Sequence, residues 1–161
     1  MNWAIDENVL AVANDLARVE RGAASETPQA SPVCRLACVR FLRDAQSGVV
    51  LLDDQGLALS YYRRKASLAG QPGTADAFLK FIYDNQYNEK LVKIVDVGEQ
   101  PNFNLDEDII ESSFDIDDQI YIALALSGTP AEVVNAVDAD YEENAGLLAS
   151  KGVTVRELCG T

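Results

Sequence analysis

The chain has 161 residues, 48% of them hydrophobic, enough for one domain with a core that stands alone and too apolar for a disordered tail. It carries 26 acidic against 13 basic residues and no histidine, a formal net charge of -13, which excludes a nucleic-acid binder that works by bulk positive charge. Any contact with a polyanion must be local, carried by a cation or supplied by a partner; an acidic protein with no polyanion partner is the plain alternative, and composition alone favours it.

Trp3 to Ile5 reads as a short buried strand, and Asn8 to Glu20 as a helix with Val9, Leu10, Ala13, Leu16 and Ala17 on one face. Arg21 to Pro32 is rich in small and polar residues and reads as a loop, with Ala23 to Thr27 its most mobile part. Ser31 and Pro32 have the N-cap and N1 signature of a helix that carries Val33, Leu36, Ala37, Val39 and Phe41 and ends near Gly48. Val49 to Leu52 is a continuous apolar run, as expected of a strand buried on both faces. After the turn at Gln55-Gly56, Leu57 to Lys65 reads as a helix, then Gly70 to Gly73 as a loop. Thr74 or Asp76 can cap the next helix, through Phe78, Leu79, Phe81 and Ile82. Leu91 to Val97 reads as a strand, Pro101 to Asn104 as a connector and Leu105 to Glu111 as a short acidic segment. Asp117 to Ser127 is the best amphipathic helix, stopped by Gly128-Thr129-Pro130. Val133 to Val137 is a buried strand, Glu142 to Lys151 a helix and Val153 to Leu158 the last strand.

Apolar strands alternating with helices predict a single α/β domain over residues 1–161, a sandwich around a mostly parallel sheet. Ligands in such folds sit outside the C-terminal ends of the strands. Asp6, Asp53, Asp54 and Asp138 each follow a predicted strand there, and Asp118 starts a helix aimed at the same edge. The acids are therefore expected to converge if the first strand is central. Carboxylates held close together repel unless a cation neutralises them, and hard oxygen ligands suit Mg2+ or Mn2+. Metal-dependent phosphodiester hydrolysis is the leading chemistry. Taken singly, each aspartate is better explained as a helix cap.

Cys34, Cys38 and Cys159 are odd in number and too few for a disulfide framework, and read as small core residues. Cys34 and Cys38 share a helix face, but without histidine or a second cysteine pair they do not point to zinc. No run is long and apolar enough to cross a membrane, and the N-terminus has no basic-then-apolar signal, so a soluble protein of a reducing cytoplasm is expected.

Ile5-Asp6-Glu7-Asn8-Val9-Leu10 resembles the opening motif of PIN-domain nucleases, an apolar strand ending in Asp with Asn two residues later. Phe114 to Ala125, with Asp117-Asp118 before an apolar run, looks like that family's central helix start, and Val133 to Tyr141 is similar to its last motif, here Asp138-Ala139-Asp140-Tyr141. The motifs occur in order over nearly the whole chain. The resemblance implies a three-layer α/β/α fold and cleavage of single-stranded RNA with Mg2+ or Mn2+. Carried over by position, Asp6, Asp118 and Asp138 would be metal ligands, Asn8 would orient Asp6, and Asp140 would be a further ligand or supporting acid. It also implies a toxin or defence role, with a neutralising protein partner and a homodimer as expected assemblies.

The chain departs from the family where Tyr61 stands at the position of a helix Glu and Ala136 at that of a Thr or Ser. Asp53 or Asp54 could substitute for the missing acid. Tyr62, Arg63, Arg64 and Lys65 crowd an aromatic against cations, a pattern that can stack a base and hold a phosphate, or can equally be an exposed helix end. Two other readings stay open: a degenerate PIN-like module that binds RNA or protein without cutting, and a receiver-like or flavodoxin-like binding domain. Asp96 inside the third strand, the lack of a Lys after the last strand and the lack of a phosphate loop after Asp6 count against the last of these.

Overall fold

The computed structural model describes residues 1–69 and 73–160; residues 70–72 of the loop expected at Gly70 to Gly73 lie outside it. Five parallel strands, β1 (Asn2–Ile5), β2 (Val49–Asp53), β3 (Val92–Val95), β4 (Ala131–Asn135) and β5 (Thr154–Glu157), form one sheet in the order β3-β2-β1-β4-β5. The helices are α1 (Glu7–Glu20), α2 (Pro32–Asp44), α3 (Leu57–Lys65), α4 (Thr74–Asn85), α5 (Glu107–Ile110), α6 (Gln119–Ser127), α7 (Asp140–Glu143) and α8 (Ala145–Ser150). The fold is a three-layer α/β/α sandwich.

Strand order explains the layers. The chain steps from β1 to β2 to β3 in one direction, then returns past β1 to β4 and β5. Right-handed crossovers therefore put α1 to α4 on one face and α5 to α8 on the other. α1 packs against α2, α3 and α4, while α6 lies on β1, β2 and β4. α6 is apolar all round and buried from Gln119 to Ala125, as a helix pressed on a sheet centre must be. β1 is central, with Ala4 and Ile5 fully buried. The edges of β1 and β4 form the switch point where the chain leaves the sheet in opposite directions, the place where such folds open a crevice.

Several expectations are corrected. β3 ends at Val95, so Asp96 follows the strand rather than lying inside it. The helix expected to be amphipathic from Asp117 starts at Gln119 and is apolar all round. β4 spans Ala131–Asn135, so Ala136 to Asp138 form a turn rather than the strand's end. The helix expected over Glu142 to Lys151 is two short ones, α7 and α8, broken at Asn144. Cys34 and Cys159 are joined by a disulfide that ties the last segment to α2, and only Cys38 is a free buried core thiol. The segment Ala23 to Thr27, read as mobile, is pinned: the Ser25 hydroxyl, the Thr27 hydroxyl and the N–H groups of Glu26 and Thr27 all donate to buried Asp15. Among the described residues no helix is long and apolar enough to cross a membrane.

Candidate metal centre

Asp6 ends β1 and N-caps α1. Its N–H donates to Val134 O at 3.0 Å, which locks it against the end of β4. Its Oδ1 accepts the N–H of Asn8 at 2.9 Å, the bond an N-cap carboxylate makes. Its Oδ2 accepts the Tyr141 hydroxyl at 2.7 Å. Asp118 occupies the N-cap position of α6, yet its side chain caps nothing, so the carboxylate is left to face Asp6. Asp138 sits on the turn after β4, placed by Asn135, whose Nδ2 donates to Asp138 O at 2.9 Å and whose Oδ1 accepts the Asp138 N–H at 3.2 Å.

One carboxylate oxygen from each of Asp6, Asp118 and Asp138 lies within 4.8 Å of the others. Asp6 is buried and the other two are half-buried. No Lys or Arg pairs with any of the three among the described residues. Burial, helped by the charges of Asp138 and Glu7, pushes Asp6 up to about 7 against the bonds from Asn8 and Tyr141. Burial, then the charges of Asp6, Asp138 and Asp115, push Asp118 up to about 9. The cluster thus has more negative charge than it can hold ionised by itself. Tyr121 stays a neutral phenol beside the cluster: it is fully buried, its hydroxyl has no hydrogen-bond partner among the described residues, and burial, then the charges of Asp6, Glu7 and Asp118, hold its proton on. A divalent cation fits this donor set, with three convergent carboxylates and a crevice of about 400 Å³ opening onto them.

The remaining expected residues divide sharply. Asn8 reaches the site, but its side chain does not hold Asp6. Its Oδ1 accepts the N–H groups of Ala136 (2.9 Å) and Val137 (3.2 Å), and its Nδ2 donates to Asn135 Oδ1 at 3.0 Å, so it clamps the turn that carries Asp138. Asp140 is turned away: its Oδ2 accepts the N–H of Asp115 at 2.9 Å, steadying the segment before Asp118. Asp53 cannot substitute, because its two oxygens accept the N–H groups of Leu57 (2.9 Å) and Ala58 (2.8 Å) and cap α3; Asp54 is exposed. Tyr62 does not stack a base, since it is fully buried with its hydroxyl donating to Ile5 O beneath Asp6. Arg63, Arg64 and Lys65 are exposed, and Lys65 lines the acid crevice.

Glu7, Asn135, Tyr121 and Tyr141 surround or brace the three carboxylates, places the sequence reading did not assign to them. Glu7 lines the crevice beside Asp6, with Oε2 buried and unpartnered; burial raises its pKa, and Lys65 and Arg64 oppose the rise. The signal available for Glu7 was its place in the first turn of the helix that Asp6 caps. The Tyr61 hydroxyl, at the position expected to hold an acid, lies 3.5 Å from Asp117 Oδ1 on the rim.

Comparison with protein-family models, curated proteins and solved structures gives no match. The functional reading therefore stands on the geometry of the crevice.

Proposed function

We propose that the chain is a PIN-like endoribonuclease that uses Mg2+ or Mn2+ to cleave single-stranded RNA by attack of water on a phosphodiester. The supporting observation is the meeting of Asp6, Asp118 and Asp138, from three separate elements, at the sheet's switch point with no basic side chain among them. A cation bound there supplies neutralisation of the phosphate charge and acidification of a water. The chain's own residues do the positioning. The Asn8 N–H and the Tyr141 hydroxyl fix the two oxygens of Asp6, and Asn135 with Asn8 fixes the turn bearing Asp138. Lys65, which lines the crevice with the acids, is the group to meet an incoming phosphate.

Labelled single-stranded RNA incubated with the protein and Mn2+ tests the reading: cutting that Asp118→Asn stops supports it, and intact RNA in every lane overturns it. Tyr61 at the place expected for an acid favours a second reading, a module that binds RNA or protein without cutting. Binding with no cleavage at any Mn2+ concentration selects that one.

A further inference from the structure

The basic residues of this acidic chain are not scattered. Five of its 13 cations, Arg18 and Arg21 near the end of α1 with Arg63, Arg64 and Lys65 at the end of α3, line one groove of about 350 Å³. The two helix ends are more than forty residues apart in sequence, so the Arg63-Arg64-Lys65 run announces only one side of the groove. Asn14 joins them, its Nδ2 donating to Lys65 O at 3.2 Å.

Two acids line the same groove, and both are occupied. Glu26 pairs with Arg18 at 3.2 Å. Asp76 accepts the N–H of Ser67 at 2.8 Å, the Nδ2 of Asn14 at 3.0 Å and the N–H of Gly73 at 2.6 Å. Arg21, Arg63, Arg64 and Lys65 have no ion-pair partner among the described residues, in a chain with twice as many acids as bases. The Arg64 guanidinium is steadied over the Tyr61 ring, 4.5 Å from its centroid. Cations at a helix C-terminus complement its dipole, but one or two per helix end suffice for that. Lys65 and Glu26 line both this groove and the acid crevice, so the two adjoin.

We infer that this groove is a docking track for the phosphodiester backbone of a single nucleic-acid strand, which it leads towards the acid crevice. Repeated unpaired cations along a path match a repeating anion better than a single small one. Tyr61 and Tyr62 are buried, so no aromatic is offered for base stacking, and the groove reads backbone charge rather than sequence. The inference deepens the proposed nuclease reading, and only the strand's destination rests on it.

The test is binding of a labelled single-stranded RNA oligonucleotide to the full chain in EDTA, by fluorescence anisotropy across a salt series. Arg21→Ala with Arg64→Ala should weaken binding about tenfold at low salt and flatten the log affinity against log salt slope by ~1.4, the value for two lost phosphate contacts on a single strand. Arg40→Ala with Arg43→Ala, two exposed cations on α2 outside the groove, should change affinity by less than about twofold. Equal losses in the two double variants would mean a general charge effect and overturn the track. So would polyglutamate displacing the RNA as well as unlabelled RNA does, because the groove would then take acidic protein. Arg21→Gln with Arg64→Gln repeats the test with the side-chain length kept, should the alanine pair melt early. RNA bound through the groove but uncut with Mn2+ would end the nuclease reading and leave the track; RNA cut by a protein whose affinity ignores Arg21 and Arg64 would do the reverse.

Discussion

Asp6 caps the helix that carries Asp15, each is only 1% exposed, and their carboxylates are driven in opposite directions. Burial alone would raise both. At Asp15 it is outweighed by the hydroxyls of Ser25 and Thr27 and the N–H groups of Glu26 and Thr27, which bring the carboxyl down to about 2. Arg18 and Arg35 stand at 3.5 and 3.7 Å. At Asp6 two donors face burial and the carboxylates of Asp138 and Glu7, and the group rises to about 7. Asp15 is completed inside the fold and holds a loop down. Asp6 is completed only by a proton or by a cation from outside, and it stands with Asp118 and Asp138 in a cluster that could hold a metal ion.

The contrast breaks first in activity. Asp118→Asn should lower Mn2+-dependent RNA cleavage by more than ~100-fold, beyond the usual loss for an outer partner of a metal site. Asp15→Asn should leave the cleavage rate per folded molecule within a few-fold of wild type. Single-turnover assays on both variants check this, and comparable losses would erase the distinction between the two aspartates. In stability the order reverses. Asp15→Asn leaves buried donors and two guanidinium groups without their carboxylate, and should cost about 3 kcal/mol in urea unfolding. Asp118→Asn removes a group that must ionise against its acidic neighbours as pH rises, and in EDTA near pH 9 should melt at or above the wild-type temperature. A smaller effect belongs to Asn8→Ala, which frees the turn carrying Asp138. It should weaken Mn2+ binding by roughly 10–100-fold, read by calorimetry, while Asp6 keeps its bond from the backbone N–H at position 8.

Much of this arrangement was legible from residue order. Apolar runs located all five strands, and the rule that ligands gather beyond strand C-termini put Asp6 and Asp138 at one edge. Asp118 followed from the start of an apolar helix that runs back against the strands. What stayed hidden depends on pairs far apart in the chain. Asp15 looks like one more polar residue on a helix, because its partners lie in a loop of small residues that reads as mobile. Tyr62 looks like an exposed aromatic among cations, because nothing local says that its hydroxyl reaches Ile5 O. Cys34 and Cys159 are 125 residues apart, and only the packing of β5's exit against α2 joins them. Asp53 and Asp6 both follow an apolar strand. They differ in whether the next helix turns its N–H groups onto both oxygens, which only the backbone path decides.

The pH dependence of stability sharpens the same comparison. An unfolded aspartate titrates near 3.8, whereas Asp6 and Asp118 hold their protons to about 7 and about 9 in the folded state. Their contribution is fully present below 3.8 and is lost as pH rises through those higher values, since the folded state binds more protons throughout the interval. Asp15 has the opposite sign: its contribution is present above 3.8 and is lost as pH falls through about 2. In EDTA the melting temperature should therefore fall between pH 5 and 9, a window that Asp15 does not touch. Asp118→Asn should shallow the fall. Saturating Mn2+ should flatten or reverse it, because the cation competes with protons for the same oxygens and binds more tightly as they leave. Melting curves with the same pH slope in EDTA, in Mn2+ and in Asp118→Asn would mean that the three carboxylates do not share one cation site.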